Sequence, residues 1–349
     1  MRILNLKPDT MILKRNLDLF NASRATLLLA PVTDSDLVTH GPELFAETRE
    51  AALAYLLDRR GQLPSTPFTE FHPYKESYPL RSEFSVYLMG TFPPISYLLD
   101  LLPLAKLPQL VKPGGGSIKK PKVSFYHGQR CAQWKLFDPQ LIPKTITPAN
   151  RAAVRAALIA FLQDAGVNYV DVIDGCQRLD YDAKDSHLFN ILPNLAAFEA
   201  LLACPHENPL LIFNTSSAFG TGGLNFMADG SFQPQAKSFD IFLAVVLEMQ
   251  CPVAFSVDGA AWLAVTPRNA AAIKRQMSSK LVFYMMLDKK VFNVVAGVSP
   301  SGATLNLGAN PCFQQYCHSA GTTDQQSFKR FVYRNAIQKN LGPLWNLNV

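Results

Sequence analysis

Residues 84–94 read Phe-Ser-Val-Tyr-Leu-Met-Gly-Thr-Phe-Pro-Pro, an apolar run that stops abruptly at Gly90. A short run rich in strand-forming residues that ends at a glycine is typical of a buried parallel strand. The two prolines that follow Phe92 fix the backbone and remove two amide donors, so this loop is stiff. We therefore expect Phe92 to be held at the carboxyl edge of a sheet, where α/β proteins usually bind their ligands.

The composition is that of an ordinary globular protein. The chain has 349 residues, of which 48% are hydrophobic, and this is enough to form a large packed core. Its formal net charge of +6 allows an acidic partner such as nucleic acid without requiring one. The N-terminus lacks the apolar stretch of a signal peptide, and no run reaches the roughly 18–20 apolar residues of a membrane helix. We expect a cytoplasmic protein that does not associate with a membrane.

The cysteine and histidine patterns do not indicate a metal site. The six cysteines are scattered, and no pair shows the two-residue gap that is typical of zinc or redox sites. His127 and His318 are isolated, and Cys312 with Cys317 does not complete a ligand set. The sequence therefore predicts reduced, mostly buried thiols, with no metal and no cofactor.

Strand and helix patterns alternate in the middle of the chain. Residues 148–164 are rich in strong helix formers and end before Gly166, and a strand pattern over 167–173 follows at once. A polar loop over 175–186, an apolar helix over 188–202 and a strand over 210–213 complete the pattern. This alternation predicts a parallel sheet with right-handed crossovers.

The ends of the chain and residues 220–280 do not follow this alternation. Residues 1–80 are expected to form a partly helical extension, and residues 81–349 the main domain. Within that domain we interpret residues 220–280 as an insertion, and it is followed by two strands over 281–287 and 291–297. A final helix carries Lys329, Arg330 and Arg334.

Several segments together resemble motifs of the uracil-DNA glycosylase superfamily, closest to its mismatch-specific and hypoxanthine-DNA glycosylase branches. Residues 90–94 look like its first motif, and residues 211–214 (Leu-Ile-Phe-Asn) resemble its base-reading strand. Ser-Pro-Ser-Gly-Ala at 299–303 looks like its final loop. Residues 126–134 resemble the aromatic helix of the hypoxanthine branch, and residues 171–178 with 185–186 resemble its Asp-Val-x-x-x-Cys-x-Arg and Asp-Ser pattern.

This resemblance implies a fold and an activity. The expected fold is an α/β three-layer sandwich with a central, mostly parallel four-stranded sheet, to which the N-terminal extension and the insertion are added. The expected protein is a monomer that binds DNA, flips a damaged or modified base out of the stack and hydrolyses its N-glycosidic bond without a cofactor.

The sequence departs from the superfamily at the residues that orient the hydrolytic water. The superfamily commonly uses an asparagine in its first motif, where this chain has Phe92. The hypoxanthine branch carries its functional asparagine on the following helix, where the matching residue is Cys131. We expect Asp171 or Asp185 to replace these amides, with Asp174 behind them, because a carboxylate can orient or deprotonate water and stabilise a positively charged sugar.

The remaining candidate residues would hold the flipped nucleotide. Phe92 and Tyr126 are expected to stack on the base and Asn214 to read its edge, since an amide offers both a donor and an acceptor. Trp134 is expected to belong to the core. Candidate contacts to the DNA phosphates are the hydroxyl and guanidinium groups of Ser96, Arg130, Ser299 and Ser301.

Structural roles remain open for several of these residues. Asp171 could instead pair with Arg178, Asp185 could cap a helix, and Asn214 could satisfy loop backbone. The insertion could widen the pocket for a bulky base, or it could be a surface decoration or a partner contact.

The open alternatives extend to function. Excision of a bulky, phage-modified cytosine in antiviral defence stands beside repair of uracil or hypoxanthine. A catalytically inactive reader of modified DNA is a third hypothesis. A different nucleotide-processing enzyme is disfavoured, because the glycines at 114–116 lack the Lys-Ser or Lys-Thr ending of a P-loop.

Overall fold

A computed structural model of the chain describes residues 11–63, 70–71, 78–91, 111–116, 132–143, 149–178, 187–214, 238–297 and 307–348. The first half of the chain contributes α1 (Met11–Thr26), α2 (Asp34–Asp58), β1 (Glu70–Phe71), β2 (Val86–Gly90), α3 (Ala132–Phe137), α4 (Arg151–Asp164), β3 (Val167–Asp171) and β4 (Ile173–Arg178). The second half contributes β5 (Leu188–Pro193), α5 (Leu195–Ala203), β6 (Leu210–Asn214), α6 (Ser238–Glu248), β7 (Val253–Ser256), β8 (Leu263–Val265), α7 (Ala270–Met277), β9 (Val282–Leu287), β10 (Lys290–Gly297), α8 (Pro311–Ala320), α9 (Gln325–Ile337) and α10 (Gly342–Trp345).

The main sheet has seven strands in the order β3-β2-β6-β10-β9-β7-β8. Strands β3, β2, β6 and β10 are parallel neighbours, as the sequence predicts for this part of the chain. Strands β9, β7 and β8 continue the sheet with antiparallel pairings, so β7 again points the same way as β10. The α/β class is confirmed, but the prediction of a four-stranded sheet is wrong because the sheet does not end at β10.

The change from parallel to antiparallel pairing occurs at the tight hairpin between β9 and β10. Asp288 and Lys289 join these strands and have φ values of 43° and 71°. Two successive residues with positive φ are the signature of the hairpin turn whose twist matches that of a sheet. Lys290 therefore pairs with Leu287 immediately after the turn.

The described part of the predicted insertion, residues 238–280, contributes to the core. Its strands β7 and β8 lie in the main sheet, and residues 238–246 of α6 are all buried. The Phe239 ring lies 4.6 Å from that of Phe213 in β6 and 5.7 Å from that of Phe283 in β9. A helix that is apolar all round belongs inside a protein, and here it covers the centre of the sheet.

The predicted helix over 188–202 is wrong in its first half. Residues 188–193 form β5, which pairs antiparallel with β4, and β4 also pairs with β1 to give a three-stranded sheet. The helix α5 begins only at Leu195, after Asn194 accepts a hydrogen bond from the Ala197 amide. The partner strand β4 includes residues 175–178, which the sequence pattern assigned to a loop.

Helices cover both faces of the main sheet. One face packs against α5, α6 and α7 through Tyr87, Met89, Leu211 and Phe213. The other face packs against α3, α4, α8, α9 and α10 through Val86, Leu88 and Ile212. The described part of the N-terminal segment lies against the small sheet, where Phe20 and Val32 contact Leu192 of β5. No helix in the described residues is long and apolar enough to cross a bilayer.

Candidate site at the carboxyl edge of the parallel strands

Four parallel strands end side by side at one edge of the main sheet. Asp171 at the end of β3 pairs with Gly90 at the end of β2. Met89 of β2 pairs with Phe213 of β6, and Asn214 pairs with Gly297 at the end of β10. The last residues of the four strands are therefore level. Of the motif residues, Gly90, Asp171 and Asn214 lie at this edge, while residues 92–94 and 299–303 lie outside the described residues.

Asp171 lies directly against the backbone of β2. Its side chain is buried, with 4% of the residue exposed, and the Tyr169 hydroxyl lies 3.3 Å from its Oδ1. A Cβ atom at position 90 would lie only 1.9 Å from this Oδ1 and 2.5 Å from the Tyr169 hydroxyl. The close approach of this carboxylate leaves no room for a side chain at position 90, so Gly90 is required there. This steric role comes in addition to ending the strand, which is the role that the sequence predicts.

The backbone around Asp171 is held by hydrogen bonds on both sides. The Val172 amide donates to the Gly90 carbonyl at 3.1 Å, so the two chains stay paired beyond the last strand residue. The Asn194 Nδ2 donates to the Asp171 carbonyl at 2.9 Å, while its Oδ1 accepts from the Ala197 amide at 3.1 Å. Asn194 therefore ties the start of α5 to the carboxylate-bearing residue.

Sequence reasoning missed this role of Asn194. An asparagine that follows Pro193 and precedes an apolar helical run is a recognisable helix-start signal. The bond that its amide makes to Asp171 has no signal in the sequence, because the two residues belong to different elements.

An aromatic layer lies beneath the carboxylate. The Trp134 ring of α3 lies 6.5 Å from that of Tyr169 and 6.2 Å from that of Phe137. Trp134 has no exposed surface, so the prediction that it belongs to the core is confirmed. Tyr169, packed against this ring, presents its hydroxyl to Asp171.

Asp174, the candidate acid expected behind Asp171 and Asp185, lies in β4. It is buried, and so are Gln177 and Arg178 of the same strand. Strand β4 starts two residues after β3 ends, and the Ile173 amide donates to the Thr91 carbonyl at 3.2 Å. The structure thus places two buried carboxylates three residues apart, Asp171 at the end of β3 in the main sheet and Asp174 in β4 of the small sheet.

The other predicted site residues lie outside the described residues. These are Phe92, Ser96, Tyr126, Arg130, Asp185, Ser299 and Ser301. Asn214 is described by its backbone, which ends β6 beside Gly297. The roles predicted for these residues stay predictions.

The described residues contain no group of three or more histidine, cysteine or acidic side chains that could hold a metal ion. Among the described cysteines, Cys176, Cys204, Cys251 and Cys312 are buried free thiols and Cys317 is partly buried.

The chain matches no protein-family model, no curated protein and no solved structure.

Proposed function

We propose that the protein is a DNA glycosylase that hydrolyses the N-glycosidic bond of a flipped-out base and leaves an abasic site. One observation carries this proposal: β3, β2, β6 and β10 end level at one edge, with the buried carboxylate of Asp171 held against Gly90 at that edge. Three of the motif segments noted in the sequence, at 90–94, 171–178 and 211–214, include the last residue of one of these strands.

In the proposed reaction, water adds to C1′ of the deoxyribose as the bond to the base nitrogen breaks. Asp171 orients this water and accepts its proton, and the negative charge of the carboxylate stabilises the positive charge that develops on the sugar. The burial of Asp171 strengthens this electrostatic effect because less water screens the charge. The base departs with the bonding electron pair and takes up a proton.

The proposal includes a bulky base, such as a phage-modified cytosine, as the preferred substrate. Residues 215–237 connect Asn214 at the edge of the sheet to the buried helix α6, so a long chain segment starts beside the site. Deaminated bases are the alternative, in which case the role is repair.

An oligonucleotide panel tests the proposed activity. Single-stranded and duplex substrates carrying uracil, hypoxanthine, xanthine or enlarged cytosines are incubated with the purified protein and then treated with alkali. We expect strand breaks at one class of modified base after alkali. Binding without any base release across the whole panel would instead support the inactive reader of modified DNA.

The variant Asp171→Asn tests the assigned role of the carboxylate. We expect single-turnover base release to fall by about 10²- to 10⁴-fold, with little change in DNA affinity, because general-base catalysis acts in the transition state. Asp164→Asn is the matched control, since Asp164 is an exposed residue that ends α4 before the amino end of β3. A normal rate in Asp171→Asn would transfer the role to Asp174 or Asp185.

A further inference from the structure

The carboxyl edge of the main sheet continues past β10 to the residue that precedes β9. Asn214 at the end of β6 pairs with Gly297 of β10. The Ala296 amide donates to the Leu281 carbonyl at 2.8 Å, so the chain that leads into β9 lies alongside the end of β10. Lys280, the residue before Leu281, is therefore level with Gly297. Because neighbouring strands are about 4.8 Å apart, two strand spacings place the backbone of Lys280 about 10 Å from that of Asn214.

Helix α7 leads into β9 and ends at the same edge. Val265, the last residue of β8, pairs with Val253 at the start of β7, so α7 begins near the amino edge of the sheet. The helix ends at Met277, whose carbonyl accepts a hydrogen bond from the Lys280 amide at 3.0 Å. Arg275, in the last turn of α7, consequently lies toward the carboxyl edge together with Lys280.

Two cations at this end of α7 reach solvent. Arg275 is exposed and forms no ion pair with a described residue, and Lys280 is partly exposed. Lys274, the neighbour of Arg275, is buried instead and pairs with Asp240 at 3.0 Å. The segment that joins α7 to β9 thus presents Arg275 and Lys280 at the carboxyl edge.

Acidic residues are scarce in this part of the chain. Asp288 is the only acidic residue in the sequence between Asp258 and Asp324. It lies in the hairpin between β9 and β10, at the amino edge of the sheet and eight residues after Lys280. Eight strand residues span about 27 Å, which is about three times the screening length of about 8 Å at physiological salt. Asp288 therefore does not offset the positive charge at the carboxyl edge.

The first turn of α8 adds to this positive end. The Cys312 Sγ donates to the Ser279 carbonyl at 3.3 Å, which brings the start of α8 against the residue before Lys280. Burial raises the pKa of the Cys312 thiol, and the positive charge of Lys280 acts on that pKa in the opposite direction. Because the amino end of a helix carries a partial positive charge, α8 supports the binding of an anion beside Lys280.

We propose that Arg275 and Lys280 bind backbone phosphates of the DNA strand that carries the target base. This inference rests on the proposed function, since it gives the path of that strand: from the ends of β3, β2 and β6, across the end of β10, to the start of β9. Guanidinium and ammonium groups form charge-assisted hydrogen bonds with phosphate oxygens. Such contacts position the strand and carry no information about the base.

The salt dependence of DNA binding tests this surface. Each phosphate contact contributes about 0.7 to 0.9 to the slope of log affinity against log salt concentration. Fluorescence anisotropy with labelled, unmodified oligonucleotides, single-stranded and duplex, measures the Kd of the full-length protein at several sodium chloride concentrations. We expect Arg275→Ala and Lys280→Ala each to lower the slope by this amount. Relative to 1 M salt, the same change corresponds to about 5- to 8-fold weaker binding at about 0.1 M salt.

Three control variants separate lost charge from altered packing. Arg275→Lys and Lys280→Arg keep the charge and should keep the slope. Arg268→Ala removes an exposed cation at the other end of the same segment, before α7 and near the amino edge, and should change neither the slope nor the affinity.

The outcomes distinguish this inference from the proposed function. An unchanged slope in Arg275→Ala or in Lys280→Ala, an equal change in Arg268→Ala, or a wild-type protein that binds no DNA would overturn the phosphate-binding surface. If the wild type releases bases while the slopes of the variants match its own, only the surface is refuted. If the slopes fall as expected but the oligonucleotide panel shows no base release, the glycosylase proposal alone is refuted.

Discussion

Replacing Gly90 with alanine perturbs the candidate site through a single atom. The new Cβ would lie 1.9 Å from Asp171 Oδ1 and 2.5 Å from the Tyr169 hydroxyl, whereas real Cβ contacts essentially never fall below 3.0 Å. The carboxylate must therefore move by at least about 1 Å, and the neighbouring hydroxyl must move with it. Because both side chains are packed at the end of β3, this movement strains the strand pair β2–β3.

The expected magnitude follows from this geometry. Overpacking of a tightly packed region costs about 1–3 kcal/mol of unfolding free energy. A displacement of about 1 Å in a catalytic group can slow a reaction by about 10²-fold. We therefore expect Gly90→Ala to unfold at lower urea concentration and to release bases about 100-fold more slowly in single-turnover assays at saturating protein.

Two further variants make the Gly90→Ala result interpretable. Gly342→Ala is the control, because no atom lies within 4 Å of a Cβ built at this exposed position. In Gly90→Ala combined with Asp171→Ala, the clashing carboxylate is gone, so part of the lost stability should return while base release stays low. Wild-type stability and rate in Gly90→Ala alone would show that the carboxylate is not held against β2, and the reasoning about the site would be wrong.

Three further predictions concern groups that hold the site and the core. Burial raises the pKa of Tyr333 well above its ordinary value of 10.0, so the folded protein keeps a neutral phenol while the unfolded chain ionises. The unfolding free energy should therefore fall as the pH rises above about 10, and urea titrations of Tyr333→Phe should show a smaller fall; equal slopes would contradict this. Asp240→Ala should lower the unfolding free energy by about 3–5 kcal/mol in the same urea titrations, because it leaves the Lys274 charge buried without its ion-pair partner. The double variant Asp240→Leu/Lys274→Met removes both charges and should lower the unfolding free energy less. An equal or larger loss in the double variant would argue against this explanation. Asn194→Ala should lower the unfolding free energy by about 0.5–2 kcal/mol, because the helix cap is lost, and it should also slow base release. Asn194→Asp should keep the cap but lose the bond to the Asp171 carbonyl, so it should slow base release with little loss of stability. An unchanged rate of base release in both variants would limit the role of Asn194 to capping.

The sequence by itself determined the elements whose signals are local. The run that ends at Gly90 predicts β2, and the helix formers before Gly166 predict α4 and the start of β3. The apolar runs on either side of Asp288 predict β9 and β10. Asp171 was found in the same way, because a residue that ends a parallel strand lies at the carboxyl edge wherever the strand is placed in the sheet.

Only the tertiary structure decided features that depend on distant partners. Residues 188–193 are apolar enough for a helix, and pairing with β4 makes them a strand. Strand β7 pairs with the free side of β9, and β8 pairs with β7, so the main sheet continues beyond the four parallel strands.

The contacts at the candidate site have the same origin. The need for glycine at position 90 arises from a carboxylate that is 81 residues away in the chain, which reaches it only because β2 and β3 are neighbours. Asn194 likewise meets the Asp171 carbonyl only because the start of α5 lies beside the end of β3. Hydrophobic periodicity and turn residues record the local conformation of a segment, whereas steric contact, burial and the pKa of a buried group depend on which segments meet after folding.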